Sequence, residues 1–149
     1  MANEQLRVLV LIDRDNQDCR ELKGQLERMA GDAGLVTKSR AGVDAQFEVA
    51  NRIVVEELEA WFFGDVVALC DAYDRLSNSL ARKRRYRDPD DIAGGTWEAL
   101  HREMKRVGYY REHFPKIEVA RRVSKFMDPA RNRSASFQAF REAVEALVA

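Results

Sequence analysis

The segment from Leu6 to Asp15 constrains the fold most strongly, because an apolar run of β-type residues ends there in two carboxylates. Such a run, closed by polar turn formers, predicts a buried strand of a parallel sheet with helices on both faces. Asp13 and Asp15 then lie at the carboxyl end of the strand, where open α/β sheets collect their ligands. If extended geometry continues through Arg14, both carboxylates point to the same side and suit a divalent cation. Alternatively, they solvate the turn and cap the next helix.

A second β-type run, residues 47–55, also ends in acidic residues. Glu56, Glu57 and Glu59 follow it in a segment that predicts a strand passing directly into a short helix. Two parallel strands would therefore deliver carboxylates to the same edge of the sheet, and Glu56 and Glu59 would share one helix face. The alternative is that these glutamates only interact favourably with the positive end of the helix dipole.

The order of the remaining patterns predicts an α/β fold with an all-helical C-terminal half. Asp18 and Glu21 have the spacing of a capping box, and the helix that they start has an apolar stripe and ends at Gly34. That stripe consists of Cys19, Leu22, Leu26, Met29 and Ala33. Further apolar stripes predict helices near residues 66–73, 96–107, 116–127 and 136–147, with Thr96 as an N-cap. We expect one domain over residues 1–149, with a strand-helix-strand core in 1–63 and a helical portion in 64–149.

Composition restricts the classes of function. The 25 basic residues equal the 25 acidic residues in number, so nucleic-acid binding must depend on a local patch and not on net charge. Cys19 and Cys70 lack metal-ligand or redox spacing and predict free, buried thiols in a reducing compartment. The chain shows neither a membrane-spanning run nor a leader peptide, so we expect a cytoplasmic protein without membrane contact.

One dense basic run offers such a patch. It surrounds Tyr86, and a run of this kind can bind phosphates through charge while the aromatic ring stacks on a base. Its members are Arg82, Lys83, Arg84, Arg85 and Arg87. The alternative is an ordinary solvated surface.

Several separate motifs occur in order over nearly the whole chain. They are Leu-Ile-Asp-Arg-Asp-Asn-Gln-Asp-Cys, Glu-Glu-Leu-Glu-Ala-Trp-Phe-Phe-Gly-Asp, Arg-Asp-Pro-Asp, Gly-Gly-Thr-Trp-Glu-Ala-Leu, Lys-Ile-Glu-Val-Ala-Arg and Met-Asp-Pro-Ala-Arg-Asn-Arg-Ser-Ala-Ser-Phe. With these motifs the chain resembles the Toprim-like family known as domain of unknown function 4276. The resemblance implies a small parallel Toprim-like sheet in which an Asp-x-Asp pair and a glutamate hold magnesium or manganese. Asp13, Asp15 and Glu59 match those catalytic positions, and Glu57 is a further candidate ligand.

Toprim modules also begin with an earlier strand that ends in a glutamate, and the chain starts almost directly at the Asp-x-Asp strand. We therefore expect the sheet to be incomplete at the N-terminus. Either the chain is a natural short form, or another chain completes the sheet, for example in a homodimer. Lys116 and Glu118, and the segment from Asp128 to Ser134, belong to motifs shared with the family. The resemblance implies a phosphate-binding or active-site role for them. The alternative is a helix stop with arginines on the surface.

His101 and His113 have no metal-ligand partner at i+4 and are expected to be surface residues of the helical half.

These patterns lead to three rival expectations. The first is a magnesium-dependent phosphodiesterase, a nuclease acting on DNA or RNA, in which Asp13, Asp15 and Glu59 work with Lys116 and the basic run. Proteins that resemble this chain often stand beside an AAA or SMC-like ATPase in phage-defence systems, which suggests an ATPase partner. The second is a catalytically degenerate binding subunit that docks on a partner chain. The third is an acidic edge that binds metal for stability only.

Overall fold

Two parallel strands joined by a helix form the N-terminal part of the fold. The computed structural model describes residues 6–15, 17–42, 45–55 and 57–149. Strand β1 (Val8–Asp13) is followed by helix α1 (Cys19–Asp32) and then by strand β2 (Val49–Val54). The strands pair in parallel with Val8 opposite Val49 and Asp13 opposite Val54. Both strands therefore end at the same edge of the sheet, as the two β-type runs predict.

The C-terminal part is helical, which confirms the predicted α/β fold class. It contains helices α2 (Leu58–Gly64), α3 (Val66–Ala72), α4 (Thr96–Arg106), α5 (Lys116–Val123) and α6 (Ala135–Val148). Two short 3-10 segments, Asn78–Arg82 and Arg84–Tyr86, connect α3 to α4. Phe63, Leu69, Leu100 and Val119 belong to the main apolar core, which joins α2 through α5.

Helix α6 returns to the sheet and covers β2. Phe137 packs edge-on against Trp61 of α2 with ring centroids 5.2 Å apart, and Val54 belongs to the same apolar cluster. The guanidinium of Arg52 also donates a 2.8 Å hydrogen bond to the carbonyl of Ala139. The end of β2 and the start of α2 are therefore fixed on one side by α6.

Strand β1 is less covered than its sequence predicts. None of its six residues is buried, although the apolar run is typical of a strand with helices on both faces. Val8 is 37% exposed and Leu11 is 41% exposed, and side chains of odd and even positions point to opposite faces. Among the described residues, β1 pairs only with β2, so the prediction of a buried strand is wrong. The two-stranded parallel sheet itself agrees with the two predicted β-type runs.

Helix α1 begins as its capping signal predicts, but its buried face differs from the expected stripe. Asp18 is the N-cap and accepts hydrogen bonds from the backbone amides of Arg20 and Glu21. Leu22 and Ala30 are the buried residues of the helix, whereas Met29 is exposed. Leu22 thus belongs to both the predicted stripe and the buried face, whereas near the end of the helix Ala30 is buried in place of Met29.

Two details of the helical half also differ from expectation. Gly95 and not Thr96 is the N-cap of α4, and α5 ends at Val123, before Met127. In α5, Val119 and Val123 are buried, whereas Ile117 is exposed. Cys19 and Cys70 are free thiols, as predicted, but only half-buried. In the described ranges, no helix has the length and apolar character needed to cross a membrane.

Candidate metal and nucleic-acid site at the carboxyl ends of the strands

Asp13 ends β1 next to the point where β2 also ends. The backbone amide of Arg14 still donates to the carbonyl of Val54 at 3.0 Å, but Asp15 adopts a left-handed conformation with φ 49°. Asp15 itself therefore leaves the extended geometry, and strand alternation alone does not fix the direction of its side chain. Partial burial raises the pKa of Asp13, and the charges of Asp15 and Glu57 raise it further, while Lys116 acts in the opposite direction.

Glu59 is the buried carboxylate of the site. It lies in the first turn of α2 and is only 4% exposed. Burial is the largest effect on its pKa and raises it, and the charges of Glu57 and Asp13 add to the rise. A hydrogen bond to its own backbone and the charge of Lys116 oppose the rise without cancelling it. Glu59 and Asp13 therefore share one region of negative potential.

Glu57 joins three elements of the fold. Its Oε2 atom accepts hydrogen bonds from the Thr96 hydroxyl at 3.1 Å and from the Trp97 amide at 3.2 Å. Its Oε1 atom lies 3.2 Å from Nζ of Lys116 at the start of α5. Glu57 thus supplies the side-chain cap that α4 lacks at Gly95, since an acceptor near the first amides of a helix satisfies otherwise unpaired donors.

The acidic residues that follow the two strands influence one another through their charges. Asp15 and Glu57 act on Asp13, Glu57 and Asp13 act on Glu59, and the charge of Lys116 opposes the rise of both pKa values. Glu56 falls outside the described residues. Within the described ranges, no group of three acidic, histidine or cysteine side chains is arranged closely enough to enclose a metal ion. Magnesium commonly needs only one or two protein carboxylates, because water and substrate phosphate complete its shell, so Asp13 and Glu59 suit it chemically.

The basic run differs from the expected nucleic-acid patch. Tyr86 has no exposed surface and its hydroxyl donates to the buried carboxylate of Glu103 at 2.8 Å, so the expectation that its ring stacks on a base is wrong. Lys83 also binds Glu103, at 2.9 Å, and Arg85 lies 3.3 Å from it. The other members, Arg82, Arg84 and Arg87, are exposed. Two of the predicted phosphate-binding cations are thus already paired with a carboxylate.

The segment from Asp128 to Ser134 clamps the turn between α2 and α3. Asp65 has a fully buried side chain and forms a two-pronged ion pair with Arg131, with Nε to Oδ1 at 2.7 Å and NH2 to Oδ2 at 3.0 Å. Asn132 is buried and donates to the carbonyl of Trp61 at 2.8 Å. A Cβ atom at Gly64 would overlap the Oδ1 atom of Asn132. Arg131 is therefore a structural partner of Asp65 and not simply a surface arginine.

A similar clamp holds the start of α6. Asp90 accepts hydrogen bonds from the hydroxyls of Ser134 and Ser136 at 2.8 and 2.9 Å. The indole of Trp61 donates to Ser136 at 2.9 Å. The Arg-Asp-Pro-Asp and Arg-Ser-Ala-Ser motifs therefore meet in space and fix the helix that covers β2.

Sequence reasoning missed a groove beside the acidic edge. It is an open groove of about 1130 Å³ between α4 and the start of α5. His101, which is half-buried, stacks in its wall and contacts the carbonyl of Tyr110 at 2.7 Å, and His113 is exposed beside it. The sequence contains one signal for this groove, because Trp97 and Lys116 each belong to a motif shared with the family. The spacing of the two motifs along the chain does not indicate that they lie together.

The fold and this edge define a small α/β domain with acidic side chains at the carboxyl ends of two parallel strands. The chain belongs to the family described as domain of unknown function 4276, whose model matches residues 2–145. No curated protein and no solved structure matches it.

Proposed function

We propose that this chain is a magnesium- or manganese-dependent phosphodiesterase that cleaves nucleic acid at the edge formed by Asp13 and Glu59. The observation that carries the proposal is that a buried glutamate on α2 lies within electrostatic reach of an aspartate at the end of β1, and that the pKa of each is raised. Carboxylates that are held together without full neutralisation are a common feature of sites that bind a cation. The resemblance to Toprim-like modules points to the same residues.

The carboxylates suit the cation in kind, since magnesium prefers hard oxygen ligands. Asp13 and Glu59 would hold it, with Asp15 at the exposed side of the edge. When bound, the metal would neutralise a phosphodiester and lower the pKa of a bound water. Lys116 would hold a non-bridging phosphate oxygen by charge, and Glu57 would fix Lys116 in place through its 3.2 Å contact.

The direct test is cleavage of labelled single- and double-stranded DNA and RNA during a magnesium or manganese titration. Wild type should cleave at least one of them only with metal, and Asp13→Asn and Glu59→Gln should each lower the rate by about 100-fold or more. Glu142→Gln, an exposed carboxylate on α6, is the matched control and should retain the wild-type rate. Metal-dependent cleavage that survives both site variants would overturn the proposal.

The second candidate is a binding subunit without catalysis, and the exposure of β1 favours it. Within the part of the chain that the structure describes, β1 has no buried residue and pairs on one side only, so its other edge can accept another strand. A second copy of the chain or an ATPase of the AAA or SMC-like type would complete the sheet. We place either role in the cytoplasm, where free Cys19 and Cys70 stay reduced.

Light scattering of wild type and of Leu11→Lys distinguishes a homodimer from the other arrangements. If β1 pairs with β1 of a second copy, wild type is a dimer and Leu11→Lys is a monomer with an unchanged circular dichroism spectrum. If wild type and Leu11→Lys are both monomers, the homodimer is excluded.

A further inference from the structure

The groove between α4 and α5 has a wall of stacked rings. Trp97 lies in a stack with His101 and Phe114, with centroid distances of 6.3 and 6.2 Å and interplanar angles of 21° and 27°. Trp97 and His101 are half-buried, so part of each ring remains accessible. Ile117, which is 70% exposed, continues this apolar surface at the start of α5. Flat apolar walls of this kind suit a planar heterocyclic base.

Cations predominate among the charged residues that line the groove. The charged lining residues are four cations and two glutamates. The cations are Lys116, Arg121, Arg122 and Lys125, and the glutamates are Glu112 and Glu118. Glu118 accepts a 2.8 Å hydrogen bond from the Tyr110 hydroxyl, and the guanidinium of Arg122 lies 4.4 Å from the centre of the Tyr73 ring. In the described part of the chain, Arg121 and Lys125 have no ion-pair partner. These two exposed cations are therefore available to an anionic ligand.

Lys116 connects the groove to the acidic edge. It lines the groove, its Nζ atom lies 4.9 Å from the centre of the Trp97 ring, and it contacts Glu57 at 3.2 Å. Its charge also acts on Asp13 and Glu59. A polyanion that follows the groove therefore reaches Lys116, which contacts Glu57 and acts electrostatically on Asp13 and Glu59.

We propose that the groove binds single-stranded nucleic acid, with bases against the Trp97 wall and phosphates on Arg121 and Lys125. The inference rests on the proposed function in one respect, since it names the substrate that would reach Asp13 and Glu59. A single strand fits better than a duplex because its bases are free to stack on side chains. The combination of rings and cations is the one that such strands require.

The basic run from Arg82 to Arg87 is the rival surface. Its aromatic residue, Tyr86, is buried, and Glu103 neutralises two of its cations. It therefore offers charge without a stacking surface. The groove offers both and lies next to the carboxylates.

The test is fluorescence anisotropy with short labelled oligothymidylate and oligouridylate in EDTA, so that binding is measured without cleavage. Arg121→Glu/Lys125→Glu should weaken binding on the order of tenfold and lower the salt slope by about 1.4, since each phosphate contact on a single strand contributes about 0.7. The matched control Arg82→Glu/Arg84→Glu changes two exposed cations of the rival run and should stay within about twofold of wild type.

Tryptophan fluorescence reports stacking separately. Bound oligonucleotide should quench the tryptophan fluorescence of wild type. Trp97→Phe should remove this quenching, because the other tryptophan, Trp61, is buried. Ile117→Asp adds a negative charge at an exposed groove position and should weaken binding without changing the thermal midpoint.

The results separate this inference from the proposed function. If the oligonucleotide binds through the groove but is not cleaved in magnesium or manganese, the proposal of a nucleic-acid-binding groove is supported and the proposal of a phosphodiesterase is overturned. If the groove variants cleave as wild type does, the proposal that the groove binds the substrate is overturned, and the proposal of a phosphodiesterase is unaffected. Equal loss of binding in groove and control variants, tighter binding of a duplex, or no binding of wild type would each overturn the groove.

Discussion

The Nζ atom of Lys116 lies 3.2 Å from Oε1 of Glu57 and ties the start of α5 to the segment that follows β2. The other carboxylate oxygen of Glu57 caps α4 through Thr96 and Trp97. One side chain thus aligns the groove with the acidic edge. Glu57 therefore has a structural role that its place in an acidic sequence does not reveal.

Substitutions at Glu57 should separate capping from metal binding. Glu57→Ala should lower the free energy of unfolding by about 1–2 kcal/mol, because the first turn of α4 loses its acceptor. Glu57→Gln retains an oxygen acceptor and should cost less than about 1 kcal/mol. Urea denaturation measures both values. If Glu57→Gln is stable but loses cleavage as fully as Glu59→Gln does, Glu57 is a metal ligand and this assignment is wrong.

Arg131→Ala should be strongly destabilising. It leaves the fully buried carboxylate of Asp65 without its two-pronged partner, and an unpaired buried charge costs about 3–5 kcal/mol. Because Arg131 is itself 38% exposed at the side chain, water reduces the expected loss to about 2–3 kcal/mol. Urea denaturation of wild type and variant measures the difference.

Arg141→Ala is the matched control for that prediction. Arg141 pairs with Glu145 on the exposed face of α6 at 2.7 Å, and exposed helix pairs contribute about 0.3–0.5 kcal/mol. Equal losses in Arg131→Ala and Arg141→Ala would show that Arg131 does not hold the turn at Asp65.

Glu27 should make stability depend on acid pH. Burial acts to raise its pKa, but hydrogen bonds from Thr37, Lys23 and Asn51 outweigh burial and lower the pKa from 4.5 to about 2. The folded state therefore binds this proton less readily than the unfolded chain does. Its stabilising effect is complete above about pH 5 and is lost as the pH falls towards 2.

The measurement is urea denaturation of wild type and Glu27→Gln over a pH series. We expect wild type to be more stable by about 1–2 kcal/mol at neutral pH, with the difference shrinking below pH 4.5, the ordinary pKa of the group. A difference that stays constant down to the acid limit would contradict the prediction.

Local patterns predicted the order of elements well. The β-type runs became β1 and β2, and Asp18 capped α1, as expected. These features depend on neighbouring residues in the sequence, which set periodicity and capping. The parallel pairing of the strands also places their last residues, Asp13 and Val54, at the same edge of the sheet, as the two β-type runs predict.

The failures concern contacts between residues far apart in the chain. The burial of β1 depends on what lies beside it, and the cap of α4 comes from Glu57, which lies 39 residues before Thr96. The ring of Tyr86 packs against Phe63 in the core and its hydroxyl is bound to Glu103, and Arg131 is bound to Asp65. A charge pattern alone cannot reveal such partners, because it shows neither which carboxylates are buried nor what they face.

Isothermal titration of the purified chain with magnesium and manganese tests the central claim most directly. We predict binding to wild type and Glu142→Gln, and loss of that binding in Asp13→Asn and in Glu59→Gln. Circular dichroism should show that both site variants remain folded. Metal binding that is equal in all four proteins, or absent from wild type in the presence of oligonucleotide, would contradict the assignment of Asp13 and Glu59 as a metal site.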